Sequence, residues 1–146
     1  MGKYKPTILI FKEVKMKLIC YKKCTTCKGV EKMLEEKNIS YEYRDIKENN
    51  PSADEIQDWH EKTELPIKRF FNTSGKIYRE NNIKDKLTEM TNEEAYDLLA
   101  TDGMLVKRPI LFTDDGEIFV GPDVKKYIES LWVTKWEKRL KNILFT

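Results

Sequence analysis

The sequence predicts a single α/β domain built around a four-stranded mixed sheet flanked by helices. Three observations favour this fold. Strand-like and helix-like segments alternate over residues 16–62, short helical segments fill residues 66–103, and a hairpin followed by an amphipathic helix closes the domain. A chain of 146 residues is long enough to bury one sizeable core.

The first half predicts a strand–helix–strand–helix unit. "MKLICY", residues 16–21, is a compact apolar run typical of a strand, and "SYEYRDI", residues 40–46, has the aromatic content of a second. Between them, apolar residues recur at helical spacing: Val30, Met33 and Leu34. The next helix opens with a capping box, in which Ser52 caps and Glu55 reaches back. A crossover helix between two such strands pairs them in parallel.

The second half predicts short helices, a hairpin and a last helix. Turn residues at "NTSG" interrupt the apolar clusters, and a second capping box joins Thr91 to Glu94. "RPILF" and "EIFVG" flank "TDDG", which indicates a hairpin with Asp-Gly at its turn. The last segment carries one apolar helical stripe: Val124, Ile128, Leu131, Trp132, Trp136 and Leu140.

Without the helical insert, the element order is that of thioredoxins and glutaredoxins. All three cysteines fall in "CYKKCTTC", residues 20–27, between the first strand and the first helix. Ligands bind open α/β sheets at the carboxyl ends of their strands. The cysteine loop is therefore expected at the place where such folds do chemistry.

Composition excludes some classes of function. The 27 Lys and Arg nearly balance the 25 Asp and Glu, so the net charge of +2 does not favour direct nucleic-acid binding. No apolar run approaches the roughly 20 residues that a membrane span needs, and "TILIF" is too short for a signal-peptide core. We expect a cytoplasmic protein with no membrane partner. In a reducing compartment, closely spaced cysteines indicate redox chemistry or metal binding.

The Cys24-x-x-Cys27 spacing predicts a thiol–disulfide pair. An ordinary thiol is only about 3% ionised at pH 7, and lowering its pKa by about two units makes it mostly thiolate. Cys24 comes just before the helix, whose free N–H groups favour an anion, so we assign it as the nucleophile. Cys27, one turn on, is placed to resolve a mixed disulfide. Nearby lysines add positive potential: Lys22, Lys23 and Lys28.

Other interpretations stay open for some of these residues. Cys24 and Cys27 are half of a tetrahedral zinc site only if Cys20, His60 or carboxylates add two ligands. The order of strand, motif and helix favours redox chemistry, and we expect no metal. Cys20, in the strand, is interpreted as a small buried core residue rather than a third redox partner. His60 follows a tryptophan on an amphipathic helix and is expected at the surface or in packing.

From about Met16 to Leu131 the chain resembles the arsenate reductase (ArsC) family, including its Spx-like regulator branch. The resemblance rests on "CYKKCTTCKGVEKMLEE", "FFNTSGKIYRE" and "LVKRPILF" in this order. It implies a glutaredoxin-like fold with a helical insertion before the second strand pair. It also implies that Pro109 follows a cis bond opposite the cysteine loop, and that Arg108 stabilises a thiolate or an oxyanion beside the active cysteine. We expect the substrate groove to be lined by a small set of residues: Lys23, Thr25, Thr26, Asn72 and Pro109.

Departures from the family pattern decide between its branches. Arsenate reductases of this family hold the oxyanion with three arginines, of which only Arg108 has a match. The other two positions carry Asn72 and Gly121. Each lost donor removes roughly 1.5–3 kcal/mol of anion binding. Those reductases also lack a counterpart of Cys27 and use glutathione and glutaredoxin instead. The "FFNTSGKIYRE" segment of this chain resembles a different group, uncharacterised ArsC-like oxidoreductases that are proposed to use low-molecular-weight thiols. We expect no tightly bound cofactor, with glutathione or a similar thiol as co-substrate.

The Spx-like branch implies a different partner. Its members use C-x-x-C as a redox switch and bind the C-terminal domain of the RNA polymerase α subunit. That contact depends on a glycine near the start of the insert, where this chain has Pro66. Proline fixes φ and removes an N–H, which weighs against polymerase binding.

The sequence therefore predicts an ArsC-like thiol–disulfide oxidoreductase whose partners are thiol or disulfide substrates or redox proteins. The alternatives are an Spx-like transcriptional regulator and an arsenate reductase. One domain is expected over residues 16–131, with its helical insert at about 66–103. Residues 1–15 form an N-terminal extension, and the basic, amphipathic residues 132–146 form a helical tail that packs on its own domain or offers a partner surface.

Overall fold

The computed structural model describes residues 15–131, which form a four-stranded sheet with helices on both faces. The strands are β1 (Met16–Cys20), β2 (Tyr41–Asp45), β3 (Ile110–Phe112) and β4 (Ile118–Val120), in the spatial order β2-β1-β3-β4. β1 pairs in parallel with β2 and antiparallel with β3, and β3 pairs antiparallel with β4. The predicted mixed sheet is therefore confirmed.

Three helices follow strands of the sheet. α1 (Thr25–Glu36) connects β1 to β2, α2 (Ala53–Thr63) follows β2, and α6 (Pro122–Glu129) follows β4. The capping box of α2 is present as expected, with the Ser52 hydroxyl accepting from the Glu55 N–H at 3.1 Å and the Glu55 carboxylate accepting from the Ser52 N–H at 3.1 Å. Among residues 15–131, no helix is long and apolar enough to cross a membrane.

The sheet separates two apolar cores because side chains alternate along β1. Ile19 faces α2 and the insert, whereas Leu18 and Cys20 face α1 and α6. All three side chains are fully or almost fully buried. This alternation places Cys20 on the same face of the sheet as the helix that carries Cys27.

Five helical elements, the longest of them of 10 residues, lie between α2 and β3. They are a 3-10 turn at Ile67–Phe70, the helices α3 (Lys76–Glu80), α4 (Ile83–Leu87) and α5 (Asn92–Thr101), and a 3-10 turn at Gly103–Leu105. The predicted Thr91–Glu94 capping box starts α5. An isolated bridge between Phe71 and Val106 closes the insert at its base.

The insert docks closely against the end of β2 at Gly103. A β-carbon built on Gly103 would lie 1.8 Å from the Ile46 carbonyl oxygen and 2.7 Å from its carbon. Nearby, the Asn50 side chain donates to the Ala100 carbonyl at 2.7 Å. Only glycine permits this approach between two backbones.

The β3–β4 hairpin turns at the predicted Asp-Gly pair, where Gly116 has a φ of +92°. The following helix, α6, buries Val124 and Ile128, as the apolar stripe predicts. The rest of that stripe beyond Leu131, almost all of the N-terminal extension at 1–15 and the tail at 132–146 lie outside the described residues.

Candidate active site

The cysteine loop connects β1 to α1 and holds all three cysteines. Cys20 ends β1, Cys24 is the N-cap residue of α1 in an extended conformation, and Cys27 lies in the first turn of the helix. The Cys24 N–H donates to the Tyr21 carbonyl at 3.0 Å, which closes the loop into a tight turn. The side chains of Cys24 and Cys27 therefore meet at the amino end of α1.

The three thiols differ in their access to solvent. Cys20 and Cys27 have no exposed surface, and Cys24 is half-buried. None of the three forms a disulfide. A substrate can reach only Cys24 directly, which supports its predicted role as the attacking sulfur.

Several donors stabilise the thiolate of Cys27. A hydrogen bond from the Cys20 thiol is the largest contribution that lowers the pKa of Cys27 to about 7, against the opposing effect of burial. The Tyr21 N–H donates to the Cys27 Sγ at 3.4 Å, and Cys24 and Arg108 add smaller contributions. The sequence argument assigned the strongest stabilisation to Cys24, which stays a prediction; at Cys27 the structure brings several donors together.

Cys20 is buried, as the sequence predicted, and it also contacts Cys27, which the sequence analysis did not predict. Its hydrogen bond to Cys27 raises the pKa of Cys20 far above the ordinary thiol value. Burial and the negative charges of Cys27 and Glu31 act in the same direction. Cys20 therefore stays a protonated thiol under physiological conditions.

Arg108 lies beside the cysteines, as the resemblance implied. Its guanidinium carbon lies 5.2 Å from the centre of the Tyr21 ring, a cation–π contact. Its Nε and Nη1 atoms are buried, and neither has a hydrogen-bond partner within residues 15–131. The Arg108–Pro109 bond is cis, as expected, and Pro109 is buried. Unpartnered guanidinium donors next to a thiolate are typical of an anion-binding position.

The other predicted groove residues at the loop are on the surface. Lys23, Thr25 and Thr26 are exposed around the half-buried Cys24. The Lys22 ammonium pairs with the exposed Glu48 at 3.2 Å. The charge of Arg108 helps to lower the pKa of Cys27.

Asn72 forms hydrogen bonds to other residues of the insert through its backbone and its side chain. Its backbone N–H donates to the Leu105 carbonyl at 2.7 Å, its side-chain amide donates to the Met104 carbonyl at 3.3 Å, and Ser74 donates to its side-chain oxygen at 3.4 Å. A role for Asn72 in substrate binding remains a prediction, and these bonds explain why this position suits an amide.

Asp45 supports the cysteine loop, although the sequence analysis did not single it out. Its carboxylate accepts from the N–H groups of Lys47 and Glu48 at 2.9 Å each and from that of Lys22 at 3.4 Å. Burial opposes ionisation, but these donors hold the pKa of Asp45 below its ordinary value. The signal was an Asp at the last position of a strand, directly before a turn.

His60 is a packing residue, as predicted. Its Nδ1 lies 2.6 Å from the Tyr96 hydroxyl, and its ring packs edge-on against Phe70 and Tyr96. Within residues 15–131, no group of three or more His, Cys, Asp or Glu side chains is arranged to hold a metal ion.

The fold and the site define a thioredoxin-type α/β protein with a C-x-x-C loop at the amino end of its first helix. The chain belongs to the ArsC family, whose family model matches residues 20–129.

Three relatives show the range of this similarity. Uncharacterized protein YusI of Bacillus subtilis (strain 168) is 48% identical over 97 residues, which are 66% of this chain and 80% of YusI. The crystal structure of a possible arsenate reductase from Streptococcus mutans UA159 superposes with a TM-score of 0.70 and 40% identity, covering 75% of this chain and 92% of that one. Global transcriptional regulator Spx 2 of Bacillus anthracis is 25% identical over 108 residues, which are 72% of this chain and 80% of the regulator.

Proposed function

We propose that this protein is a thiol–disulfide oxidoreductase in which Cys24 attacks and Cys27 resolves. The observation that carries the proposal is the contrast between the two sulfurs. Cys24 is accessible at the N-cap of α1, and Cys27 is buried one turn away with its pKa lowered to about 7. A resolving thiol is most effective when its pKa is close to the ambient pH.

The exchange proceeds in two steps. The Cys24 thiolate attacks one sulfur of a substrate disulfide, the substrate S–S bond breaks, and the leaving thiolate takes a proton from solvent. The Cys27 thiolate then attacks the Cys24 sulfur of the mixed disulfide and expels the second substrate thiol. The substrate gains two electrons, the Cys24–Cys27 disulfide forms, and a low-molecular-weight thiol such as glutathione reduces it again.

The surroundings of the loop suit a thiol substrate. The charge of Arg108 stabilises the Cys27 thiolate, and its buried Nε and Nη1 donors have no partner within residues 15–131. In this proposal the substrate docks against Lys23, Thr25 and Thr26, which are exposed around Cys24, and Pro109 completes the groove.

Serine variants test the two roles. With glutathione disulfide as the probe, Cys24→Ser should form no mixed disulfide, because the accessible sulfur is missing. Cys27→Ser should accumulate a protein–glutathione adduct, because nothing resolves it. Mass spectrometry of the intact chain reads both outcomes, and the double Cys24→Ser, Cys27→Ser variant is the control. Adduct formation in Cys24→Ser at the wild-type rate would refute the assignment.

Arsenate reduction is a second candidate, favoured by the unpartnered donors of Arg108 and by the similarity to the Streptococcus mutans protein. The positions of the other two oxyanion arginines carry Asn72, whose amide is engaged within the insert, and Gly121. We therefore expect weak arsenate turnover. An assay with arsenate, glutathione and glutaredoxin distinguishes this candidate.

A redox-sensing regulator is the third candidate, supported by the similarity to Spx 2. Pro66 stands at the start of the insert with a φ of −57°, where the Spx-like branch has a glycine. A pull-down with the C-terminal domain of the RNA polymerase α subunit tests this role, and we expect no retention.

A further inference from the structure

Cys20 is a buried cysteine that the exchange steps do not use. It ends β1 on the face that packs under α1, in one apolar cluster with Cys27, Leu18, Val30 and Val124. Neither Cys20 nor Cys27 has any exposed surface. The Cys27 sulfur lies close to the end of β1, because the N–H of Tyr21, the residue after Cys20, donates to it at 3.4 Å.

A buried thiolate needs donors because water cannot reach it. Two donors come from the strand and the loop below Cys27: the Cys20 thiol and the Tyr21 N–H, the latter at 3.4 Å. Cys24 and the charge of Arg108 add smaller contributions. Further charged or titratable groups around the two buried sulfurs come from α1 and β2: Glu31, Tyr41 and Tyr43.

We propose that Cys20 is a positioning residue, whose thiol hydrogen-bonds to the Cys27 sulfur, stabilises its thiolate and remains reduced throughout the exchange cycle. This inference rests on the proposed function, since it assigns Cys20 a role at the same redox pair. The Cys20 sulfur keeps its proton and forms no bond to another sulfur, so the electron balance of the exchange is unchanged. The Cys24–Cys27 pair alone supplies the two electrons.

The proposal predicts the ionisation of Cys27 in the reduced protein. In a Cys24→Ser background, thiolate absorbance at 240 nm should titrate near pH 7. Adding Cys20→Ala removes the donor and should raise this midpoint by about one to two pH units, since a hydrogen bond to a charged group contributes roughly 1.5–3 kcal/mol. Adding Cys20→Ser instead restores a donor, so its midpoint should lie below that of the alanine variant.

A packing control separates this effect from a loosened core. Val30→Ala in the same background removes apolar volume from the same cluster but no hydrogen bond, so its midpoint should stay near that of the background protein. Equal midpoints for Cys20→Ala and the background would overturn the proposal. So would equal midpoints for the alanine and serine variants, because they differ in the donor.

Disulfide mapping tests the second part of the proposal. The wild-type chain is oxidised with diamide, denatured, alkylated and digested. We expect a disulfide between Cys24 and Cys27, with Cys20 alkylated in full. A disulfide between Cys20 and Cys27 would overturn the proposal. The titration uses the Cys24→Ser background and needs no turnover. It can therefore contradict the role of Cys20 while the wild-type chain still exchanges thiols through Cys24. Equally, the exchange assay can fail while the titration gives the expected midpoints.

Discussion

Replacing Gly103 by alanine should strongly destabilise the protein, because the insert approaches the end of β2 through this residue. The added β-carbon would lie 1.8 Å from the Ile46 carbonyl oxygen, 2.7 Å from the Ile46 carbonyl carbon and 3.1 Å from the Asn50 β-carbon. β-Carbons do not come closer than 3.0 Å to heavy atoms to which they are not bonded. The backbones at residues 103 and 46 must therefore separate by more than about an ångström.

The expected cost follows from the rigidity of that contact. Overpacking a core costs about 1–3 kcal/mol when side chains can adjust. Here the obstacle is backbone, next to the turn that Asp45 caps, so we expect about 3 kcal/mol or more. For a domain of this size, that lowers the melting temperature by roughly 10 °C or more.

Gly29→Ala is the matched control. Gly29 lies inside α1, and a β-carbon there meets nothing within 4 Å. Alanine is favoured over glycine in a helix by about 0.5–1 kcal/mol, so this variant should melt at a slightly higher temperature than wild type. Circular dichroism melts of the reduced proteins measure both changes. If Gly103→Ala melted within a degree or two of Gly29→Ala, the proposed docking of the insert on β2 would be refuted.

Two further predictions concern electrostatics. Arg108→Gln should raise the pKa of Cys27, read at 240 nm, by less than about one pH unit, because the charge of Arg108 adds to stronger hydrogen bonds. Arg108→Lys should preserve the midpoint. The paired Arg44 guanidinium lowers the pKa of Glu55 from 4.5 to about 2. The ionised carboxylate therefore stabilises the fold above pH 4.5, and this contribution is lost as the pH falls toward 2. Urea denaturation should show a loss of about 1 kcal/mol or less, since solvent screens the pair. Glu55→Gln should weaken this acid dependence, whereas the exposed Glu36→Gln should leave it unchanged.

Local signals explain why most of the fold was predictable from the sequence. The capping boxes at Ser52 and Thr91 each join residues three apart, and both form as predicted. The compact apolar run at the start of the domain likewise predicted the strand β1, of which four of the five residues are buried. The hairpin followed from the Asp-Gly pair that ends at Gly116.

Features that depend on tertiary contacts were not predictable in this way. Cys20 was correctly expected in the core, but its contact with Cys27 requires the first turn of α1 to lie over the end of β1. Lys22 was expected to act on the sulfurs, and its pairing with Glu48, 26 positions away in the sequence, was not predicted. The tight contact at Gly103 left no signal in the sequence, because Ile46, its neighbour in space, is far from it along the chain.

The central claim is that Cys24 and Cys27 form a reversible redox pair. Equilibrating the full-length chain in glutathione redox buffers at pH 7, followed by alkylation and mass spectrometry, measures this directly. We expect one intramolecular disulfide, between Cys24 and Cys27, with a reduction potential of about −220 mV or below, close to or below the cytosolic glutathione potential. The absence of an intramolecular disulfide at every buffer ratio would contradict the account.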